Sequence, residues 1–485
     1  MKLFYVKPDL LDRRPYADGP DAAQVRDMLV HRAVRDRTPV FLDSQMRPIP
    51  HISGWFYSLS LRKRDPETMR TYAYIVFRLA NFLNERGTDL LSATEADLVA
   101  YRYARTELQD TPCDEGTWDR EAGVIDQLYT WLRDQDLIRR KPVRLVNGRT
   151  PLTSGLRREM DIRHLTCQQY LYFRDVGFGG MLPDGTVDYD FRGTNTTHRG
   201  RAGIETALLT GMRKTEWSTL LIPELGTGWG NPQHSVEFDI QACAKYGLHR
   251  TVYFPLAALY MVDHYRRIER LEVAQTAAKI LARKARTLFV VTSINADQGK
   301  LTGTYQGRRR TFKISAMPPA MRRITVHETD IGLESMAVFI GQGGLMLSSS
   351  AWDNCRHVAW SRMQKHAGDG TPQLPRKPWR YHDARHTYAL QLLKQLYRMK
   401  WEREGRLPPT REASPDDHVL FGPILRVQRR LGHKRLASTL GYLRYMDDPM
   451  NYVDDAFHGW TDHDGATYAE IAIQTWNLDL EAARA

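Results

Sequence analysis

Two short runs near the end of this 485-residue chain carry side chains that could hold and attack a phosphodiester. The first is Tyr381-His382-Asp383-Ala384-Arg385-His386-Thr387. The second is Leu431-Gly432-His433-Lys434-Arg435, with Tyr442 nine positions after His433. An arginine supplies a fork of N–H donors that matches two phosphate oxygens. A tyrosine supplies an oxygen nucleophile, and histidines can accept or donate its proton. Each of these residues alone is more often structural, so the rest of the chain must say what positions them.

Composition narrows the partner. Lys+Arg at 69 against Asp+Glu at 57 gives a formal charge of +12, which favours a polyanion such as nucleic acid. The four cysteines (Cys113, Cys167, Cys243, Cys355) form no C-x-x-C pair and read as reduced thiols, with neither a disulfide frame nor a zinc site. The first residues lack the apolar core of a signal peptide, and no run reaches membrane-spanning length. The expectation is a cytoplasmic, nucleoid-associated protein with no membrane partner. His382-Asp383 raises a metal phosphohydrolase, but no further ligands stand at supporting spacing, and no cofactor is expected.

The length calls for more than one domain. Residues 1–57 read as an N-terminal extension with one helix near 22–35 and a rigid turn at Arg47-Pro48-Ile49-Pro50. Residues 58–139 read as a helical domain. Pro66 suits a first helical turn, and Met69, Tyr72, Val76, Leu79 and Leu83 follow at helical spacing. Thr94-Glu95-Ala96-Asp97 has the form of a capping box, and a third helix starts at Thr117. Arg62, Lys63, Arg64, Arg70, Arg78, Arg102 and Arg105 lie around these helices as a solvated surface or a phosphate-contacting one. Residues 140–159 form a basic linker. The second domain opens at the Thr166–Gln169 capping box, with a loop over 177–201.

Within 160–446 the pattern of Ile204 to Thr210 stops at Gly211, and a new helix begins near Arg213, with Glu216 on the same face to brace it. Residues 236–240 and 250–254 read as a hairpin that holds Lys245 out on its turn, and 256–286 as a helix. The 287–345 segment is a basic insertion with strand-like pieces, carrying Arg308, Arg309 and Arg310; it reads either as a contact to DNA phosphates or as an exposed loop. A helix resumes over 348–365. The tail, 447–485, is locally acidic and ends in a helix from Thr467, which packs either on its own domain or on a neighbouring subunit.

Thr210-Gly-Met-Arg213-Lys-Thr-Glu216, His382-Asp-Ala-Arg385-His386 and Leu431-Gly432-His433 with Tyr442, in this order, resemble the motifs of the tyrosine recombinases, or phage-integrase family. The resemblance covers roughly residues 60–446. It implies a mainly α fold with a small antiparallel β-sheet (α+β), in which a helical core-binding domain and a catalytic domain close on DNA as a C-shaped clamp. It assigns phosphate binding to Arg213 and Arg385 with a hydrogen bond from His433. Tyr442 becomes the nucleophile that forms a 3′-phosphotyrosyl intermediate, His382 the general base and Lys245 the general acid, with Glu216 and His386 in support. Neither metal nor ATP is needed, because the phosphotyrosyl bond stores the energy of the cut bond. Arg444 stands where the family often has a histidine, two residues past the tyrosine.

The resulting expectation is a site-specific recombinase, an integrase or transposase of a mobile element. It would act as a tetramer on two double-stranded DNA sites, with accessory DNA-bending or element-encoded proteins as further partners. A type IB topoisomerase or telomere resolvase would share the chemistry. A DNA-binding protein without activity would lack part of the six-residue set.

Overall fold

The structure is a computed structural model. It describes residues 1–7, 22–32, 34–110, 112–143, 152–153, 162–191, 197–226, 234–404 and 422–443. The chain divides into two compact units, Met1–Glu159 and Met160–Ala485. Their described residues are mainly α-helical, with small β-sheets. No described helix is long and apolar enough to cross a membrane.

In the first unit β1 (Lys2–Tyr5) pairs antiparallel with β2 (Pro39–Leu42), and helices α1 (Ala22–His31), α2 (Pro50–Leu61), α3 (Pro66–Glu85), α4 (Glu95–Tyr103) and α5 (Glu115–Asp134) follow. The local signals act as expected at α3, where Pro66 enters the first turn and the Asp65 carboxylate accepts from the Thr68 N–H at 3.0 Å. Thr94 and Asp97 close a capping box on α4. The third helix starts two residues earlier than expected because Asp114, which accepts from the Thr117 N–H, outcompetes Thr117 as the cap.

The apolar stripe of α3 meets Trp118, Ile125, Leu128 and Leu132 of α5 in one core, together with Phe41, Trp55 and Phe56. Residues 39–57, expected to belong to a separate extension, enter this core through Phe41, Ile52, Trp55 and Phe56 and lie within the same unit. Two of the arginines expected on its surface are occupied. Arg105 is buried, and both it and Arg78 donate to the Glu121 carboxylate, at 2.7 and 2.6 Å. A buried carboxylate needs such partners, so these two hold the bundle together.

The second unit begins with α6 (Cys167–Tyr172), capped by Thr166 and Gln169 as expected. The loop expected over 177–201 is shorter at its end, since α7 (Thr197–Thr210) starts where the Glu269 carboxylate accepts from the His198 and Arg199 N–H groups. A carboxylate brought from a distant helix is a cap that no local pattern can announce. Next come α8 (Lys214–Ser218), the β3 (Val236–Ile240) and β4 (Arg250–Phe254) hairpin, α9 (Leu256–Tyr265) and α10 (Leu271–Arg283), the last two joined through a π turn.

The expected basic insertion is a folded sheet. Strands β5 (Phe289–Asn295), β6 (Lys300–Tyr305), β7 (Arg308–Lys313), β8 (Thr325–Thr329) and β9 (Gly332–Ser335) lie in the order β7-β6-β5-β8-β9. The β5–β8 pair is parallel and the others antiparallel. Helix α11 (Pro319–Arg322) ends in Arg322, which is 1% exposed and bidentate to Glu224 at 2.6 and 2.8 Å, so this arginine serves the core rather than the surface. Then follow α12 (Ser349–Lys365), α13 (Tyr381–Glu404), α14 (Pro423–Leu431) and α15 (Ala437–Leu440).

An aromatic cluster sets the frame for the site. Trp217 of α8 meets Trp352 of α12 edge-on at 4.7 Å and Tyr381 at the start of α13 at 5.2 Å. All three are nearly or fully buried. Truncating one such tryptophan to alanine typically costs about 3–5 kcal/mol. Here it would also loosen α8, capped by Arg213, and α13, which carries Arg385. The tail helix expected from Thr467, and Arg444, lie outside the described residues.

Candidate active site

Gly211 ends α7 with φ +61°, and a Cβ there would stand 2.3 Å from the Tyr388 ring, so glycine serves both the turn and the packing of α13. Two residues on, Arg213 caps α8. The Glu216 carboxylate accepts from the Arg213 N–H at 2.7 Å and from its Nη1 at 3.1 Å. Sequence spacing foresaw this brace. Glu216 is 1% exposed, and burial alone would raise its pKa, but the guanidiniums of Arg250, Arg385 and Arg213 together hold it below the usual carboxylate range.

Arg385 is 1% exposed on α13. Its Nη1 donates to the Gly211 carbonyl at 2.5 Å and its Nη2 to the Leu431 carbonyl. These carbonyls lie at the C-terminal ends of α7 and α14, where the helix dipole favours a cation. Burial, then Arg213, push the Arg385 pKa down to about 9, which still leaves it protonated at neutral pH.

Gly432 closes α14 in the left-handed region (φ 63°, ψ 47°), and the His433 N–H donates to the Gln428 carbonyl at 3.1 Å. That turn delivers His433, whose Nδ1 lies 3.0 Å from the Thr439 hydroxyl, leaving Nε2 for a further partner. Tyr442 follows α15, is 1% exposed, and stacks parallel to the His433 ring at 6.2 Å. Its hydroxyl lies 2.9 Å from Nδ1 of His386. Burial raises the Tyr442 pKa to about 12, against the pull of Arg385 and Arg213.

The contact to the tyrosine is thus made by His386, expected only in support, and not by His382. The two rings meet edge-on at 4.6 Å, one helical turn apart on α13. Desolvation, then neighbouring positive charge, lower the His382 pKa to about 4 and the His433 pKa to about 3. For His386, desolvation followed by His382 and Arg385 lowers it to about 3. All three rings are therefore neutral near pH 7, which leaves His386 a free ring nitrogen to accept a hydrogen bond.

Lys245 is exposed on the connection between β3 and β4, in a 3-10 turn. It shares with Arg213 and His433 a cavity of about 470 Å³. The same three residues border a groove of about 1040 Å³ lined also by His249, Arg250, Arg426, Arg429, Arg430 and Lys434, with no carboxylate among its lining residues. Arg385, His386 and Tyr442 are buried and line neither cavity. The six expected residues thus form one cluster with a cationic mouth and a buried tyrosine.

One residue of this cluster was not anticipated. Arg250 opens β4, with Nη2 on Glu216 at 2.5 Å and Nη1 on the Arg430 carbonyl at 2.8 Å. A Cβ on Gly432 would strike its Cδ at 2.6 Å. Arg250 therefore joins the Lys245 hairpin, the brace of Arg213 and the turn before His433. Its signal was available: it occupies the same inward register as the buried Val252 and Phe254.

The other expected DNA contacts lie elsewhere. Arg62, Lys63 and Arg64 are exposed between α2 and α3, and Arg70 is exposed, 3.6 Å from Glu67. Arg308, Arg309 and Arg310 occupy β7.

No protein-family model matches the chain, and no curated protein matches it. Among solved structures, the chain is similar to the XerH site-specific recombinase bound to palindromic difH substrate in a post-cleavage complex, at 12% identity and a TM-score of 0.47, covering 93% of each chain. It is similar to the Tn1549 transposon integrase in complex with a circular intermediate DNA, at 12% identity and a TM-score of 0.42, covering 79% of this chain and 92% of that one. It is also similar to an integrase from mycobacterium phage Brujita, at 12% identity and a TM-score of 0.20, covering 72% of this chain and 79% of the other.

Proposed function

We propose that this chain is a tyrosine recombinase, a site-specific DNA strand transferase of a mobile element, and that Tyr442 is its nucleophile. The observation that carries the reading is the hydroxyl of Tyr442 at 2.9 Å from a neutral histidine, one residue past the buried Arg385. A cationic groove with no carboxylate among its described lining residues, bordered by Arg213, Lys245 and His433, suits a polyanionic substrate.

In the proposed reaction Arg213 and Arg385 neutralise the two non-bridging oxygens, and His433 Nε2 donates to one of them. The Tyr442 oxygen attacks phosphorus while its proton passes to His386. The bond to the 5′ oxygen breaks, and Lys245 gives that oxygen a proton, leaving a 3′-phosphotyrosyl enzyme and a 5′-hydroxyl. Attack by the 5′-hydroxyl of a second strand reverses these steps without metal or ATP. Arg385, His386 and Tyr442 are all buried, so a phosphate reaches them only once the residues covering them move aside with the His386–Tyr442 contact kept.

A duplex nicked just beyond the cleavage position loses its 5′-hydroxyl fragment and should trap a covalent protein–DNA adduct. Tyr442→Phe should abolish it; an adduct that survives this change overturns the assignment. Strand exchange between two duplexes, rather than relaxation or hairpin products from one, separates a recombinase from a topoisomerase or telomere resolvase. Four protomers on two sites is the assembly this exchange requires, and the mass of the complex on paired sites measures it.

A further inference from the structure

The β6–β7 ribbon carries charge that the cleavage chemistry does not use. From Gln298 to Lys313 there is no acidic residue, against five cations: Lys300, Arg308, Arg309, Arg310 and Lys313. β7 is an edge strand of its sheet, and all five cations are exposed. Among the described residues Arg308, Arg309 and Arg310 form no ion pair within the chain. Three adjacent exposed guanidiniums concentrate positive charge at a sheet edge, a surface that suits a polyanionic partner.

The register sorts the side chains. Arg309 lies opposite Thr304, Thr311 opposite Thr302, and Lys313 opposite Lys300. This face is a strip of hydroxyls and cations, with the Thr302 and Thr311 hydroxyls 2.9 Å apart. Arg308 and Arg310 project from the other face, whose inner end is anchored where Phe312 meets Phe289 edge-on at 5.2 Å. The tip turns at Gln306 and Gly307, both at positive φ.

The base of the ribbon is tied to the candidate site. β7 runs into the turn Ile314–Ala316, where the Ser315 carbonyl accepts from the Gln241 and Ala242 N–H groups at 3.1 and 2.9 Å. Those residues begin the connection that carries Lys245. Six strand residues extend about 20 Å, equal to about six base pairs.

We propose that the β6–β7 ribbon is a second DNA-binding element, gripping the phosphates along about six base pairs of the duplex that flanks the cleavage position. This rests on the recombinase reading for the position of the cleaved strand. A two-stranded ribbon fits the major groove, and the arginines on its two faces meet both of the groove's phosphate walls. The tie through Ser315 makes flanking DNA support the Lys245 connection from below.

The test compares the full-length wild type with R308A/R309A/R310A, and with the lysine triple R308K/R309K/R310K as a charge control. Affinity is measured on duplexes whose flank is shortened in two-base-pair steps, over a range of salt. For the wild type, binding should weaken over one stretch of about six base pairs as the flank is shortened. The alanine triple should be indifferent to that shortening, with a salt slope shallower by roughly 2.7. The lysine triple should keep most of both. Equal flank dependence and salt slope in wild type and alanine triple overturns the proposal, as does an alanine triple that loses only binding to an acidic protein. Adduct formation by the wild type on the nicked substrate is scored separately. Its failure would sink the recombinase reading while leaving the flank and salt measurements to judge the ribbon.

Discussion

Nδ1 of His386 faces the hydroxyl of Tyr442 at 2.9 Å, whereas His382, four residues earlier on the same helix, stacks its ring edge-on against His386. The proton acceptor nearest the candidate nucleophile is therefore the second histidine of the motif.

Replacing it should separate the two roles. His386→Ala should slow adduct formation by about 10²-fold or more, the usual scale for losing a positioned base. His382→Ala should cost less, because it removes a neighbour of the base. Single-turnover rates on the nicked duplex decide the order, and a larger loss at His382 reverses this assignment.

The depressed pKa of His386, about 3 against an ordinary 6.5, makes stability depend on pH with a definite sign. Between these values the unfolded chain binds a proton that the folded chain refuses, so stability is undiminished above about pH 6.5 and falls as the pH drops toward 3. The slope for one buried histidine approaches about 1.4 kcal/mol per pH unit. Urea midpoints at pH 7.5, 6.5 and 5.5 should decline mainly below pH 6.5 for the wild type, and His386→Gln should lessen that decline, leaving the shares of His382 and His433. An equal decline in both proteins would rule out His386 as its source.

Arg250 should matter although it lies outside every motif. Arg250→Ala leaves Glu216 buried with Arg213 as its remaining ion-pair partner, and breaking such a pair costs about 3–5 kcal/mol. Arg250→Lys should recover only part of this, since an ammonium lacks the fork that spans Glu216 and the Arg430 carbonyl. If Arg250 also positions Arg213, the rate loss of Arg250→Lys should shrink on a methylphosphonate linkage, which carries no charge to neutralise. Equal losses on phosphate and methylphosphonate would reduce Arg250 to a packing role.

Lys245 makes a prediction about the leaving group. Lys245→Ala should slow cleavage by about 10²-fold or more. A 5′-bridging sulfur should restore much of that rate, because a thiolate leaves without a proton far more readily than an alkoxide. The same sulfur should do little for Arg213→Ala. A Lys245→Ala defect indifferent to sulfur would remove the lysine from the acid role.

Local patterns carried a large part of the fold. Pro66, the Thr94–Asp97 and Thr166–Gln169 boxes and the Gly211 turn act within a few residues of themselves, so a linear string states them. The β3–β4 hairpin was legible in its alternation for the same reason. The five-stranded sheet was not, because β5 meets β8 in parallel across the intervening β6, β7 and α11. Nor was the fate of single charges. Arg322 and Arg105 read like their exposed neighbours until Glu224 and Glu121 arrive from other elements.

By itself the sequence determined which side chains could do phosphoryl-transfer chemistry, because motif spacing placed Arg213 beside Glu216, Arg385 beside His386, and His433 ahead of Tyr442. Only the tertiary structure decided which of these touch. The choice of His386 over His382 depends on where along α13 Tyr442 packs, and the entry of Arg250 depends on three elements meeting. Such contacts arise from packing a whole core, where a shift of one helical turn along the axis exchanges one partner for another.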